Sequence, residues 1–195
     1  MYKRQQEKHN LLPFSKEVIA WQHRVLSVKK WNPEMNWPDV STEYLFANVH
    51  DWLSPFLLNI TKKKELQKLD IITILQSTLP WDLNIEDYAP QKLTVPSGSS
   101  IKLTYFENGQ APVLAVRLQE VFGLLETPLI NKGKNKVLLH LLSPGFKPVQ
   151  VTSDLHSFWE NTYIEVKKEL KRRYPKHSWP EDPWTATAVR GVKRK

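Results

Sequence analysis

At Pro90 the spacing of apolar residues changes, and that switch limits the fold more than any other feature of the chain. Before it, hydrophobic side chains recur every three or four residues, the period of a helix buried along one face. After it, as far as about residue 151, they alternate, the period of a strand. A βαβ architecture would interleave the two periods, so their separation predicts an α+β fold. The expected layout is a set of N-terminal helices, a small antiparallel sheet of about five strands, and a long C-terminal helix packed on it. Residues 1–90 form the helical segment and 91–183 the sheet with its helix, packed together as one region. Residues 184–195 form a basic, flexible tail.

Phe14, Val18, Trp21, Val25 and Val28 predict a helix over 14–30 with Ser15 as N-cap, and Pro33 and Pro38 bar its continuation. A second helix is expected from Ser41 to Pro55, with Leu45, Val49, Trp52 and Leu53 on one face. A third covers 63–79, turning Leu66, Leu69, Ile72 and Leu75 or Leu79 inward, and a short one covers 81–88. Strands are expected at 92–95, 101–105, 112–116, 137–142 and 148–151. Asn108-Gly109 marks a hairpin, and one or two helical turns at 117–122 end on Gly123. The last helix starts at Thr152 or Ser153. Its inward stripe is Leu155, Phe158/Trp159, Thr162/Tyr163, Val166 and Leu170, and Tyr174-Pro175 ends it.

Several chemistries are excluded. No run approaches the roughly 18 apolar residues of a membrane span, and the polar residues 2–9 lack the apolar core of a signal peptide. With no cysteine there is neither a disulfide nor a thiolate metal site, which suits a reducing cytoplasm. Six glycines include no Gly-x-x-x-x-Gly-Lys-Ser/Thr phosphate loop. The six histidines are scattered, without acidic partners at metal-ligand spacing. His50-Asp51 reads as a helix surface rather than a catalytic dyad, and Ser97-Gly98-Ser99 as a hairpin turn rather than a nucleophile elbow. No catalytic, metal-binding or cofactor-binding residue is therefore assigned.

Charge is the positive signal. Residues 166–195 hold ten Lys or Arg against three acids, so they carry +7 of the net +8, and such asymmetry points to an anionic partner. Within 171–180, Lys171, Arg172, Arg173 and Lys176 supply fixed cations, His177 a titratable ring, and Tyr174 and Trp179 aromatic faces. Cations neutralise phosphates while aromatic rings stack on bases. Alternatively, Tyr174 and Trp179 pin the chain onto the sheet, and a pinned loop can still display its cations. Lys132 and Lys134 join the candidate nucleic-acid-binding set, although for them a solubilising charge run is the competing reading.

The motifs now become specific. They include Pro96-Ser97-Gly98-Ser99, the run 113–123 (Val-Leu-Ala-Val-Arg-Leu-Gln-Glu-Val-Phe-Gly), Thr127-Pro128 and the run 139–144 (Leu-His-Leu-Leu-Ser-Pro). With them come the run 148–152, Phe158-Trp159 and the run 173–183 (Arg-Tyr-Pro-Lys-His-Ser-Trp-Pro-Glu-Asp-Pro). Together with Trp37-Pro38-Asp39-Val40-Ser41, Trp52-Leu53 and Leu79-Pro80-Trp81 upstream, they resemble, in order, the C-terminal domain of HrpB-type bacterial ATP-dependent (DEAH-type) helicases. One departure is His156-Ser157, where the family carries a glycine-bearing segment. The resemblance implies a fragment of an ATP hydrolase. Its ATP, Mg²⁺ and RecA-like motor domains lie upstream, so this chain alone is not an enzyme. It also implies an accessory role in contacting or positioning nucleic acid, RNA or DNA and single-stranded, with the helicase's own motor domains as the other partner. The alternative is a protein-interaction or scaffolding module docking on the helicase core or an external partner, anchored by Trp31 or Trp184.

Overall fold

In the computed structural model the described residues are 12–58 and 60–192. They divide into two compact units, one of residues 12–85 with 105–110, the other of residues 86–104 with 111–192.

The first unit is built on helix α1 (Lys16–Trp31). Ser15 Oγ caps it by accepting from the Val18 N–H at 3.3 Å. Glu17 lies at its positive end and Lys29 and Lys30 at its negative end, so both termini complement the dipole. Val18, Trp21, Val25 and Val28 are buried as their spacing requires. Residues 105–110 pack on the same helix, where Ser27 Oγ donates to the Phe106 carbonyl at 2.7 Å and Trp31 Nε1 to the Gly109 carbonyl at 2.7 Å.

The two longer helices expected downstream are each broken. The segment after Ser41 splits into α2 (Thr42–Ala47) and α3 (Val49–Leu53). At the break, the side-chain amide of Asn48 donates to the Tyr44 carbonyl at 2.9 Å, the local competition that makes Asn a poor interior residue. The segment 63–79 splits into α4 (Lys63–Leu66) and α5 (Ile71–Gln76). Asp70 causes this break, accepting from the Thr73 N–H at 3.2 Å and the Thr73 hydroxyl at 2.7 Å as an N-cap rather than an interior residue. The restart shifts the buried face to Ile71, Ile74 and Leu75. Only Ile85–Tyr88 of the expected 81–88 is helical (α6), and Trp81 is 98% exposed.

The second unit holds β1 (Lys92–Thr94), β2 (Ser100–Thr104), β3 (Val113–Arg117), β6 (Leu138–Leu142) and β7 (Pro148–Thr152), side by side in that order. The strand count meets expectation, but the sheet is mixed rather than antiparallel. β3 and β6 run parallel, with Val113 opposite Leu138 and Arg117 opposite Leu142. The reason lies in residues 118–137. A 3₁₀ turn (Leu118–Glu120) and a small hairpin of β4 (Leu129–Ile130) and β5 (Asn135–Lys136) carry the chain back to the end where β3 began. There the Leu138 N–H meets the Pro112 carbonyl at 2.8 Å. Alternation buries Leu114 and Val116 of β3 and Leu139 and Leu141 of β6.

The C-terminal helix begins as α7 (Leu155–Ser157), passes through a π turn (Phe158–Thr162) and continues as α8 (Tyr163–Arg173). Its cap is Asp154, which accepts from the Ser157 N–H at 3.0 Å, rather than Thr152 or Ser153. The π turn inserts one residue into the helical period, so the buried stripe moves from Val166 to Lys167 while Tyr163 and Leu170 stay inward. Phe122 packs on this stripe, its ring centroid 6.1 Å from Trp159 and 6.0 Å from Tyr163.

Candidate nucleic-acid interface

Helix α8 ends in Lys171, Arg172 and Arg173, all exposed at the negative end of its dipole. The chain leaves the helix at Tyr174 in a non-helical conformation, as the following proline demands. A tight turn then presents Lys176 to solvent. The Tyr174 carbonyl closes that turn by accepting two donors, the His177 N–H at 3.1 Å and the Trp179 indole N–H at 2.9 Å.

Gln119, on the 3₁₀ turn after β3, fastens the segment from the other side. Its side chain pairs with His177 Nδ1 at 2.8 Å and donates to the Ser178 carbonyl at 3.0 Å, while its carbonyl accepts from the Val189 N–H at 2.9 Å. Further along, the Tyr163 hydroxyl donates to the Pro180 carbonyl at 2.9 Å, and the Gly123 N–H to the Pro183 carbonyl at 2.9 Å. Lys167 binds Glu181 directly. Residues 178–190 thus run as a strap over the unit, with Arg190 Nε reaching the Ser97 carbonyl at 3.2 Å.

The residues singled out from the sequence therefore separate by role. Lys171, Arg172, Arg173 and Lys176 are exposed cations on a braced turn. Trp179 is only 8% exposed and Tyr174 half-buried, so both hold the turn in place. Burial, and then the charge of Arg117, lower the His177 pKa, which favours the neutral ring at pH 7. Lys132 and Lys134 belong to the loop between β4 and β5. There Asn131, Lys132 and Gly133 all have left-handed φ, and the Lys132 ammonium lies 4.4 Å from the Tyr88 ring centroid. A hydrogen bond to Tyr88 raises the Lys132 pKa.

Sequence reasoning assigned no role to several residues beside the turn. Glu120 is 3% exposed and accepts from Ser99 Oγ at 2.5 Å, Ser97 Oγ at 3.2 Å and Arg117 Nε at 3.1 Å. Burial raises its pKa, but the Arg117 and Ser99 hydrogen bonds outweigh this and hold the carboxyl below its ordinary value. The guanidinium carbon of Arg117 sits 5.0 Å from the ring centroid of Phe146, at the tip of the β6–β7 hairpin. Phe146 is 67% exposed and adopts φ +59°, a backbone state that costs a bulky residue on the order of 1–3 kcal/mol. The left-handed residue of this turn is Phe146 and not the neighbouring Gly145. Gly145 instead provides clearance, since a Cβ there would lie 2.8 Å from the Tyr174 hydroxyl.

Among the described residues no helix is long and apolar enough to cross a membrane, and no group of three His, Asp or Glu could hold a metal ion. The family described as HrpB_C, ATP-dependent helicase C-terminal, matches residues 52–183. The chain belongs to that family. The ATP-dependent RNA helicase HrpB of Escherichia coli (strain K12) is 40% identical to it over 187 residues, 95% of this chain. The crystal structure of E. coli DExH-box NTPase HrpB matches 93% of the chain with a TM-score of 0.87 at 40% identity. That of the Escherichia coli DEAH/RHA helicase HrpB matches 87% with a TM-score of 0.72 at 39% identity. This HrpB_C chain spans 23% of the first relative's length and 22% of each solved chain.

Proposed function

We propose that this HrpB_C domain is the accessory C-terminal module of an ATP-dependent RNA helicase. It contacts single-stranded nucleic acid through Lys171, Arg172, Arg173 and Lys176, and leaves ATP, Mg²⁺ and hydrolysis to upstream motor domains in the cytoplasm. The observation that carries this reading is the braced turn: four exposed cations on a segment fastened at Tyr174, His177, Ser178 and Pro180. Bracing limits the entropy lost when the cations engage phosphates. The 40% identity to an RNA helicase of E. coli makes RNA the ligand to try first.

The test is fluorescence anisotropy of labelled oligo(U) across a salt series. Binding should weaken linearly in log–log form. Arg172→Glu, Arg173→Glu and Lys176→Glu should each lower the slope by about 0.7 for every phosphate that is no longer neutralised. Affinity indifferent to salt and to these charges would refute the proposal. ATP turnover by this chain should stay at background.

A second reading, docking on the helicase core or another protein, gains support from Trp81, which is 98% exposed. Tryptophan is enriched among the few residues that carry most of the binding energy of a protein interface. Trp31 and Trp184 are poorer anchors, since Trp31 donates to Gly109 and the Trp184 ring packs 4.8 Å from His156. Trp81→Ala should weaken pull-down of the motor domains while leaving oligo(U) binding unchanged.

A further inference from the structure

We propose that Phe146 is a base-stacking platform of the same surface, an inference that rests on the nucleic-acid reading above. The ring stands at the tip of the β6–β7 hairpin, 67% exposed, in a left-handed backbone conformation (φ +59°) that phenylalanine rarely adopts. Three hydrogen bonds hold the tip in that state: the Phe146 N–H to the Ser143 carbonyl at 2.9 Å, the Lys147 N–H to Ser143 Oγ at 3.1 Å, and the Ser143 N–H to the Lys147 carbonyl at 2.8 Å. One face of the ring is backed by the Arg117 guanidinium at 5.0 Å, which Glu120 anchors in turn. The hairpin also meets the cationic turn, because the Tyr174 hydroxyl approaches Ser143 Oγ at 3.4 Å and lies against Gly145.

These contacts put an exposed aromatic face, fixed from behind, next to the segment that carries Arg173 and Lys176. Phosphates on the cations and a base on the ring are the pairing by which proteins grip unpaired strands. A duplex offers no free base face, so the occupant is single-stranded, and stacking alone makes the contact tolerant of sequence. Lys147, exposed beside Phe146, adds a further cation for the adjoining phosphate.

The experiment compares oligo(U) with an abasic strand of the same length, using the full chain, its Phe146→Ala and Phe146→Trp variants, and melting curves for each. Wild type should bind oligo(U) more tightly than the abasic strand. Phe146→Ala should weaken oligo(U) about 5- to 150-fold, the equivalent of ~1–3 kcal/mol per stacked base. It should leave abasic binding and the salt slope unchanged, while Phe146→Trp keeps the preference for bases. Equal oligo(U) affinity in wild type and Phe146→Ala overturns the inference, as does an equal loss on both strands. If wild type binds neither strand, the underlying nucleic-acid reading falls too. If charge reversal at Arg172 weakens binding but Phe146→Ala does not, the stacking role alone is lost.

Discussion

Replacing Glu120 tests whether its buried carboxylate holds the end of β3 to the loop before β2. Glu120→Gln keeps the shape but removes the charge, and its amide nitrogen cannot accept from Ser99 Oγ or Arg117 Nε. Hydrogen bonds to an ionised group contribute about 1.5–3 kcal/mol each when buried. Arg117 keeps 21% of its side chain in water, which screens part of its share and lowers the expected net loss to about 1–2 kcal/mol. Glu120→Ala goes further, leaving two hydroxyls without their acceptor and a guanidinium without its anion, for about 2–4 kcal/mol. In a chain of this size that lowers Tm by about 2–4 °C per kcal/mol. Because the folded pKa is depressed, the carboxylate's contribution is complete above its unfolded value, about 4.3. It is lost as pH falls through the folded value. Urea unfolding followed by tryptophan fluorescence, at pH 7 and stepwise down to about pH 3, should therefore show wild type and Glu120→Gln converging in acid. Equal stability at pH 7, or a gap that stays constant with pH, would refute this account.

Two further substitutions probe the C-terminal helix and its strap. Asp154→Ala removes the N-cap and should destabilise by about 1 kcal/mol, read as a lower Tm by circular dichroism, whereas an unchanged Tm would return the cap to Thr152. Tyr163→Phe removes the donor to the Pro180 carbonyl and should cost about 1–2 kcal/mol in urea unfolding. Burial and the Glu181 charge push the Tyr163 hydroxyl pKa up, so that loss should be the same between about pH 5 and pH 9.

What could be read from the sequence follows the range of the interaction responsible. Helix α1 and the strands are legible because a stripe such as Val18, Trp21, Val25 and Val28, or the pair Leu114 and Val116, declares its own buried face. The breaks at Asn48 and Asp70 are local too, but each depends on a polar side chain choosing its own backbone over the helix, and periodicity does not weigh that choice. The parallel β3–β6 pair was beyond reach, since no local pattern shows where residues 118–137 return. The cationic turn is visible as composition, while its bracing by Gln119 spans 58 and 59 residues of sequence to His177 and Ser178. Phe146 escaped notice because an exposed apolar residue in a turn is ordinary. Only the Arg117 ring contact and the left-handed φ distinguish it.

The division of labour in the strap bears on how salt experiments should be interpreted. Tyr174, Trp179, Gln119, Ser178, Pro180 and Pro183 hold the turn through neutral hydrogen bonds, and His177 joins them as a neutral ring at pH 7. Dissolved ions screen interactions between exposed charges over roughly 8–10 Å at near-physiological strength, but they barely touch such bonds. The ionic link in the strap, Lys167 to Glu181, buries its lysine but leaves 87% of the glutamate side chain in water, so where salt screens that pair the neighbouring Tyr163–Pro180 hydrogen bond still holds the stretch. Raising salt should therefore weaken the hold of Lys171, Arg172, Arg173 and Lys176 on phosphate without loosening the turn that presents them. A salt series that lowers oligo(U) affinity while tryptophan fluorescence and Tm stay constant would locate the weakening at the phosphates. A parallel fall in Tm would mean that screened charges, and not this neutral bracing, hold the turn together.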